Sequence, residues 1–133
     1  MFKVVIDSNV FISALYLPES RPAEVVLLAR RRKIINFISP QILKEVERII
    51  KEKLFWDNHK TRSAMGRIKK FSEVVNPKER LAIIADDPDN RILECAAAGQ
   101  TDFIISGDKH LLHLKNYQGI KILTPAAFLG ALE

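Results

Sequence analysis

Short apolar runs alternate along the chain with stretches in which apolar residues recur at helical spacing. The runs at 4–6, 34–38, 103–105 and 120–123 are rich in Val, Ile and Phe and show no polar alternation. Strands that are buried on both faces of a parallel sheet have this composition. Residues 73–75 form a weaker fifth candidate, which we expect at a sheet edge.

The stretches between these runs predict helices at 22–32, 40–54, 60–71, 89–98, 109–114 and 126–132. Ser39 and Pro40 mark a helix start, with a capping hydroxyl followed by proline at the first helical position. Gly99 is a typical helix stop. Strands and helices that alternate without a repeat or a linker predict one α/β domain over residues 1–133.

The composition excludes several classes of protein. Apolar residues make up 47% of the chain and charged residues 28%, which is an ordinary globular balance. No apolar run approaches the roughly 18 residues of a membrane span, so we expect a cytoplasmic protein. Cys95 is the single cysteine and cannot form a disulfide or a thiolate zinc cluster. Any bound metal should therefore have oxygen ligands.

Basic residues are concentrated in one part of the chain. Residues 30–70 hold 13 of the 21 Lys and Arg and only four acids, so this segment carries +9 within a total of +5. A basic surface beside acids suits a polyanion that is held by its phosphates. The run at 30–33 has an equally good explanation as charges that complement a helix end.

Two acids follow predicted strands. Asp7 directly follows the first strand, and Asp108 comes two residues after Ser106, just past the fourth. Sites in open parallel sheets form at the carboxyl ends of strands, where the strand order reverses. If these strands are neighbours, Asp7 and Asp108 should lie together on that rim.

Two further acids stand on predicted helices. Glu45 lies about 100° from the centre of the apolar stripe of its helix, on a flank where its carboxylate can reach a cleft. Asp89 stands in the segment DDPDN at residues 86–90, at the start of a helix.

Ordinary structural explanations exist for three of these acids. The acids at 86–90 could complement a helix dipole, Glu45 could be a surface residue like Glu47, and Asp108 could cap the helix at 109–114. Asp7 is harder to explain in this way, because a strand buried on both faces rarely ends in a carboxylate without a polar task.

In these segments the chain resembles the PIN domain family, a fold of Mg²⁺- or Mn²⁺-dependent nucleases. The blocks are VVIDSNVFISA at 4–14, SPQILKEV at 39–46, DPDNRILECA at 87–96 and SGDKHLL at 106–112. Each block alone is a weak match, but the four in this order are specific and span nearly the whole chain. Within the family, the chain resembles the branch described as toxin components of toxin–antitoxin pairs.

The resemblance implies a three-layer α/β/α sandwich with a five-stranded parallel sheet in the order 3-2-1-4-5. The metal-binding and catalytic acids that it implies are Asp7, Glu45, Asp89 and Asp108. Asn9 and Ser106 would support them through side-chain hydrogen bonds. Asp87 remains the alternative to Asp89 as the third acid.

A hard cation is the cofactor that such a site would use. Mg²⁺ and Mn²⁺ prefer oxygen ligands, and clustered carboxylates repel one another unless they hold a cation or a proton. We therefore expect Mg²⁺ or Mn²⁺, which would activate water and neutralise charge on the leaving oxygen. His110 follows Asp108 closely, but we expect it on a solvent-facing turn.

Single-stranded RNA is the substrate that the resemblance implies, together with a cognate antitoxin and a homodimer. The candidates for binding its backbone are Lys60, Arg62, Arg67, Lys69 and Lys70. Phe55 and Trp56 stand near a helix end, where we expect them in the core or in an interface rather than stacked on bases.

Two other functions remain open. One is a non-catalytic nucleic-acid-binding module of the same fold, which salt-sensitive RNA binding without metal-dependent cleavage would distinguish. The other is a phosphatase-like or phosphoacceptor domain with Asp7 as nucleophile. Asn9 weakens this reading, because a second Asp is expected there in the common aspartate-based phosphatases.

Overall fold

One six-stranded sheet brings the first and fourth strands together at its centre. A computed structural model of the chain describes residues 1–132. The strands are β1 (Lys3–Ile6), β2 (Ile35–Ile38), β3 (Ser72–Val74), β4 (Phe103–Ile105), β5 (Asn116–Tyr117) and β6 (Ile120–Leu123). Their order is β3-β2-β1-β4-β6-β5, and each neighbouring pair is parallel except β5 and β6.

The predicted order of five parallel strands is confirmed when β6 is counted as the fifth, with β3 at an edge. The addition is β5, whose antiparallel pairing makes the sheet mixed where only parallel strands were expected. Gln118 and Gly119, with φ of 51° and 83°, form the turn between β5 and β6. Two consecutive positive φ values are typical of a type I′ hairpin. A strand of two residues is too short to appear as an apolar run.

Helices cover both faces of this sheet. They are α1 (Ser8–Tyr16), α2 (Arg21–Arg30), α3 (Pro40–Ile49), α4 (Asn58–Phe71), α5 (Asp87–Gly99), α6 (Lys109–Leu114) and α7 (Pro125–Ala131). Ser39 caps α3 as expected, since its side chain accepts a hydrogen bond from the backbone N–H of Ile42. The predicted helices are present, and the one at 40–54 differs from the prediction because its last part is a π-helix.

The helix predicted at 40–54 changes geometry before its end. A π-helical turn over Ile50–Leu54 continues α3. The wider turn alters the spacing of side chains along the helix. Ile49, the last residue of α3, and Ile50, the first of the π-helical turn, are both buried, with 3% and 0% of their surface exposed. The chain then leaves the helix at Phe55, whose φ is 55°.

The hydrophobic core lies around the central strands. Val4, Val5 and Ile6 of β1 and Ile104 and Ile105 of β4 are completely buried. This is the pattern expected of strands covered on both faces. Helices contribute Phe11, Leu93 and Phe128 to the same cluster. Within residues 1–132, none of the helices has the length and apolar character needed to cross a membrane.

Candidate metal centre

Asp7 and Ser106 stand side by side at the carboxyl ends of β1 and β4. Ile6 and Ile105 are paired across these parallel strands, and the backbone N–H of Asp7 donates to the Ile105 carbonyl at 3.0 Å. The next side chains therefore meet, and Ser106 Oγ donates to Asp7 Oδ2 at 2.7 Å. Both residues are buried. The sheet order thus places Asp7 at the reversal point of the strands.

Ser106 also links Asp7 to Asp108. The backbone N–H of Asp108 donates to Ser106 Oγ at 2.9 Å. Asp108 in turn caps α6, because its Oδ1 accepts from the backbone N–H groups of His110 and Leu111 at 2.8 and 3.2 Å. Asp108 therefore has the capping role that the sequence allowed, and it also faces the same cleft as Asp7.

The N-terminal turn of α5 supplies a second pair of acids. Asp89 is 5% exposed, and its Oδ2 is buried without a hydrogen-bond partner among residues 1–132. Asp86 is the residue just before the helix. One ligand atom from each of Asp86, Asp89, Asp108 and His110 lies within 4.8 Å of the others. The structure thus adds Asp86 and His110 to the candidate metal ligands.

Glu45 reaches the cleft from α3, but its carboxylate already has a partner. Arg48 donates to Glu45 Oε1 from Nη2 at 2.6 Å and to Oε2 from Nε at 3.4 Å. The same guanidinium contacts Glu52 through Nη1. Glu45 is therefore near the other acids and paired with Arg48.

A cleft of about 200 Å³ contains all four predicted acids. The polar and charged side chains that line it are Asp7, Ser8, Asn9, Glu45, Arg48, Lys53, Asp86, Asp89 and Asp108. Asn9 lies there on the first turn of α1. The chain thus brings carboxylates from four separate segments to one place.

Burial and mutual repulsion raise the pKa values of two acids. Burial raises the pKa of Asp7, the hydrogen bond from Ser106 partly opposes this, and the nearby charge of Asp108 raises the pKa further. Burial, and then the neighbouring Asp108, Asp86 and Asp7, raise the pKa of Asp89 to about 8. These carboxyls favour a bound proton or cation over a bare negative charge.

The donor set fits a hard divalent cation. Its ligand atoms are mostly carboxylate oxygens, which Mg²⁺ and Mn²⁺ prefer. The buried Oδ2 of Asp89 has no hydrogen-bond partner among residues 1–132. Buried polar atoms of folded proteins normally have one. A cation between Asp89 and its neighbours would satisfy this atom.

The alternative acids point elsewhere. Asp87 has a side chain that is 67% exposed and pairs with Arg91 at 3.3 Å and with Arg80 at 3.8 Å. Glu47 lies 3.9 Å from Lys51 on the same helix. Neither residue lines the acid cleft within residues 1–132.

The five basic residues predicted to hold nucleic acid lie on α4, and none of them lines the cleft in the described chain. Lys60 lies over the Trp56 ring, with Nζ 4.0 Å from its centroid. Arg67 borders a separate apolar groove between α1, α2 and α4. Arg62, Lys69 and Lys70 are exposed. Phe55 is 83% exposed, so of the two places expected for it, the core and an interface, the core is excluded.

The basic side chains in the cleft, Arg48 and Lys53, were not singled out from the sequence. Arg48 could have been found from its spacing, since residues three apart on a helix are neighbours and Glu45 was already a candidate. Asp86 and His110 had an equally simple signal, because each is within three residues of a predicted ligand.

A polar clasp on α5 holds the segment that leads into Asp86. Asn90 Oδ1 accepts from the backbone N–H groups of Ile83 and Ile84, both at 2.9 Å. Arg91 Nη2 donates to the Leu81 carbonyl at 2.7 Å, and the Leu81 N–H donates to Glu94 Oε2 at 2.7 Å. These buried side chains fix the irregular chain beside the helix that carries Asp89.

Known proteins share this sequence pattern and this fold. Residues 3–110 match the family model described as PIN domain. The uncharacterized protein MJ1680 of Methanocaldococcus jannaschii is 32% identical over 143 residues, covering 98% of this chain and 92% of that protein.

Two solved structures are similar in fold. One is VapBC2 from Rickettsia felis bound to a DNA fragment from their promoter, with a TM-score of 0.63, 14% identity, and coverage of 90% of this chain and 96% of that chain. The other is DNA-bound VapBC from Salmonella typhimurium, with a TM-score of 0.65, 17% identity, and coverage of 94% and 99%.

Proposed function

Since this chain belongs to the PIN domain family, we propose that it is a metal-dependent endoribonuclease that hydrolyses phosphodiester bonds of single-stranded RNA. The observation that carries the proposal is the cleft in which acids from four segments meet, with the buried Oδ2 of Asp89 unpartnered in residues 1–132. A basic segment of +9 lies in the same chain and suits a phosphate backbone.

Asp7, Glu45, Asp89 and Asp108 are the residues that would hold Mg²⁺ or Mn²⁺ in this proposal, and Asp86 and His110 are further candidates. When bound, such a cation acidifies water and neutralises charge that develops on phosphate oxygens. Ser106 holds Asp7 and Asp108 in place through its two hydrogen bonds. Asn9 lies beside them in the cleft.

The substrate would bind along the basic segment at residues 30–70. Exposed Lys and Arg side chains on α4 attract a phosphate backbone whatever its sequence. The strong positive charge is on the segment that includes α3 and α4, so the backbone would run beside Glu45. Such binding should weaken steeply as salt is added.

We further propose that the protein is the toxin of a toxin–antitoxin pair, with a cognate antitoxin protein as partner and a homodimer as its assembly. The support is the resemblance of its four motif blocks to that branch of the family. The shared fold with the two VapBC structures is consistent with it.

Cleavage of RNA by the purified protein tests the enzymatic proposal. Single-stranded RNA should be cut in Mg²⁺ or Mn²⁺ and should remain intact in EDTA. Asp7→Asn should abolish cleavage while Glu73→Gln, an exposed acid on β3, should not. Equal cleavage by wild type and Asp7→Asn would identify a contaminating nuclease and remove the support for this function.

A non-catalytic nucleic-acid-binding module is the second candidate. The observation in its favour is that the five predicted basic residues of α4 lie outside the acid cleft. RNA binding that is sensitive to salt, is unchanged in Asp7→Asn and is accompanied by no metal-dependent cleavage would establish this function instead.

A further inference from the structure

Arg48 holds both oxygens of a carboxylate that the proposed function needs for a cation. Its Nη2 lies 2.6 Å from Glu45 Oε1 and its Nε lies 3.4 Å from Oε2. Because both of its oxygens accept from Arg48, the Glu45 carboxylate already has a cationic partner. The other acids of the cleft face one another. Arg48 and a divalent cation would therefore compete for Glu45.

The geometry allows Arg48 to leave Glu45 at small cost. The Arg48 side chain is 50% exposed, and ion pairs with this exposure contribute little to stability. Arg48 also contacts Glu52, four residues further along the helix, so it keeps one carboxylate partner after leaving the other. Its long side chain can turn without any change in the backbone of α3.

Arg48 is also well placed to contact a phosphate. It lines the cleft together with Lys53, and these two are the basic side chains in a lining otherwise rich in acids. A guanidinium binds phosphate oxygens through two parallel hydrogen bonds, which suits it to a nucleic-acid backbone. A cleft with only carboxylates would repel that backbone.

We propose that Arg48 is a positioning residue that exchanges partners: it holds Glu45 in the cation-free cleft and moves to a phosphate of the nucleic acid when Glu45 turns to a divalent cation. This inference rests on the proposed function. It makes the contribution of Arg48 to nucleic-acid binding conditional on the cation.

The first test is the affinity for Mn²⁺ alone, measured by isothermal titration calorimetry without nucleic acid. Arg48→Gln should bind Mn²⁺ about two- to fivefold more tightly than wild type, because Glu45 is released. Lys51→Gln is the matched control, since it removes one charge and one glutamate contact from the same helical segment outside the cleft. In a Glu45→Gln background, Arg48→Gln should have no further effect.

The second test is binding of a fluorescein-labelled single-stranded RNA, measured by anisotropy in Ca²⁺ and in EDTA, with a gel to verify that it stays intact. Arg48→Gln should weaken binding severalfold in Ca²⁺ and leave it unchanged in EDTA. Lys53 has no ion pair with a carboxylate among residues 1–132, so Lys53→Gln should weaken binding in both conditions.

Three outcomes would overturn the exchange. Unchanged or weaker Mn²⁺ binding by Arg48→Gln would show that Arg48 does not compete for Glu45. Equal loss of RNA binding in Ca²⁺ and EDTA would make Arg48 an ordinary basic contact. Equal Mn²⁺ affinity of wild type and Asp7→Asn would reject the cation site of the proposed function, and the exchange with it.

Discussion

At the residue scale, Asp89 is the acid whose surroundings are least able to hold a negative charge. Burial and three neighbouring acids raise its pKa to about 8 from the ordinary value of 3.8. Between these two values the folded protein keeps a proton that the unfolded chain has lost. The contribution of protonated Asp89 to the stability of the folded protein is therefore full below the unfolded pKa of 3.8, and it is lost as the pH rises toward 8.

The melting temperature of the metal-free protein should therefore fall as the pH is raised from about 5 to about 8. Asp89→Asn should flatten this dependence, because the amide cannot ionise. Differential scanning fluorimetry in EDTA across this pH range measures both effects. Glu73→Gln, which removes an exposed acid from β3, should keep the wild-type slope.

Binding of Mn²⁺ provides an independent check that a negative charge on Asp89 destabilises the folded protein. A ligand that binds only the folded state stabilises that state by an amount that grows with the ratio of the ligand concentration to its Kd. Because protons compete for the same oxygens, added Mn²⁺ should raise the melting temperature more at about pH 8 than at about pH 5. An equal rise at both pH values would contradict a role for Asp89 in holding the cation.

Ser106 is the residue that sets the distance between Asp7 and Asp108. Its single hydroxyl donates to one acid and accepts from the backbone of the other, and it is completely buried. Ser106→Ala removes both contacts with little change in volume. Supporting hydrogen bonds of this kind are typically worth about 10–100-fold in metal affinity or activity.

We therefore expect Ser106→Ala to bind Mn²⁺ about 10–100-fold more weakly while its circular dichroism stays that of the wild type. Calorimetric titration measures the loss. Ser63→Ala, on an exposed position of α4, is the control. Wild-type affinity in Ser106→Ala would mean that the strands alone position the two acids.

At the element scale, the start of α5 is held by a clasp that the apolar pattern did not reveal. Asn90, Arg91 and Glu94 were read only as part of a motif block, yet all three are buried and bind the chain before Asp86. Helical periodicity identified the helix itself at 89–98 but not these contacts. The reason is that their partners are backbone groups of an irregular segment, which has no repeating pattern.

Loss of Arg91 should therefore destabilise the fold more than loss of an exposed arginine. Its side chain is 9% exposed and lies 2.9 Å from Glu94, which is 4% exposed. Removing one member of a buried pair leaves an uncompensated charge, which costs about 3–5 kcal/mol. Urea unfolding of Arg91→Ala should show a loss of this size.

The matched control is an arginine–glutamate pair with the same helical spacing on the surface. Arg21 and Glu24 lie 3.6 Å apart with side chains 63% and 52% exposed. Arg21→Ala should change the unfolding free energy by less than about 1 kcal/mol. Similar losses for the two variants would show that the clasp is not a buried ion pair in solution.

At the scale of the whole molecule, the basic residues of α4 that should attract a polyanion lie outside the acid cleft. Each phosphate contact with a single strand contributes about 0.7 to the slope of log affinity against log salt. Lys69 and Lys70 are exposed at the end of α4. Their replacement should therefore alter the salt dependence and not the cation site.

Neutralising both residues, as Lys69→Gln with Lys70→Gln, should weaken RNA binding and reduce the salt slope by about 1.4. Anisotropy across a salt series measures the slope, and calorimetry should find unchanged Mn²⁺ binding. Lys121→Gln, exposed on β6 and outside residues 30–70, is the control. An unchanged slope would place the RNA on another surface.

The sequence by itself determined the five parallel strands, the Ser39 cap and the place of Asp7 after the first of them, because apolar spacing and capping chemistry are local properties. It also related Asp7 to Asp108, since neighbouring parallel strands end at the same rim. It did not show β5, and the C-cap of α5 is Gln100 rather than the predicted stop Gly99. Only the tertiary structure decided that Asp86 and His110 lie with Asp89 and Asp108, and that Glu45 enters the same cleft. Those outcomes depend on how α3, α5 and α6 pack against one another, and no local pattern encodes contacts between segments so far apart in the chain.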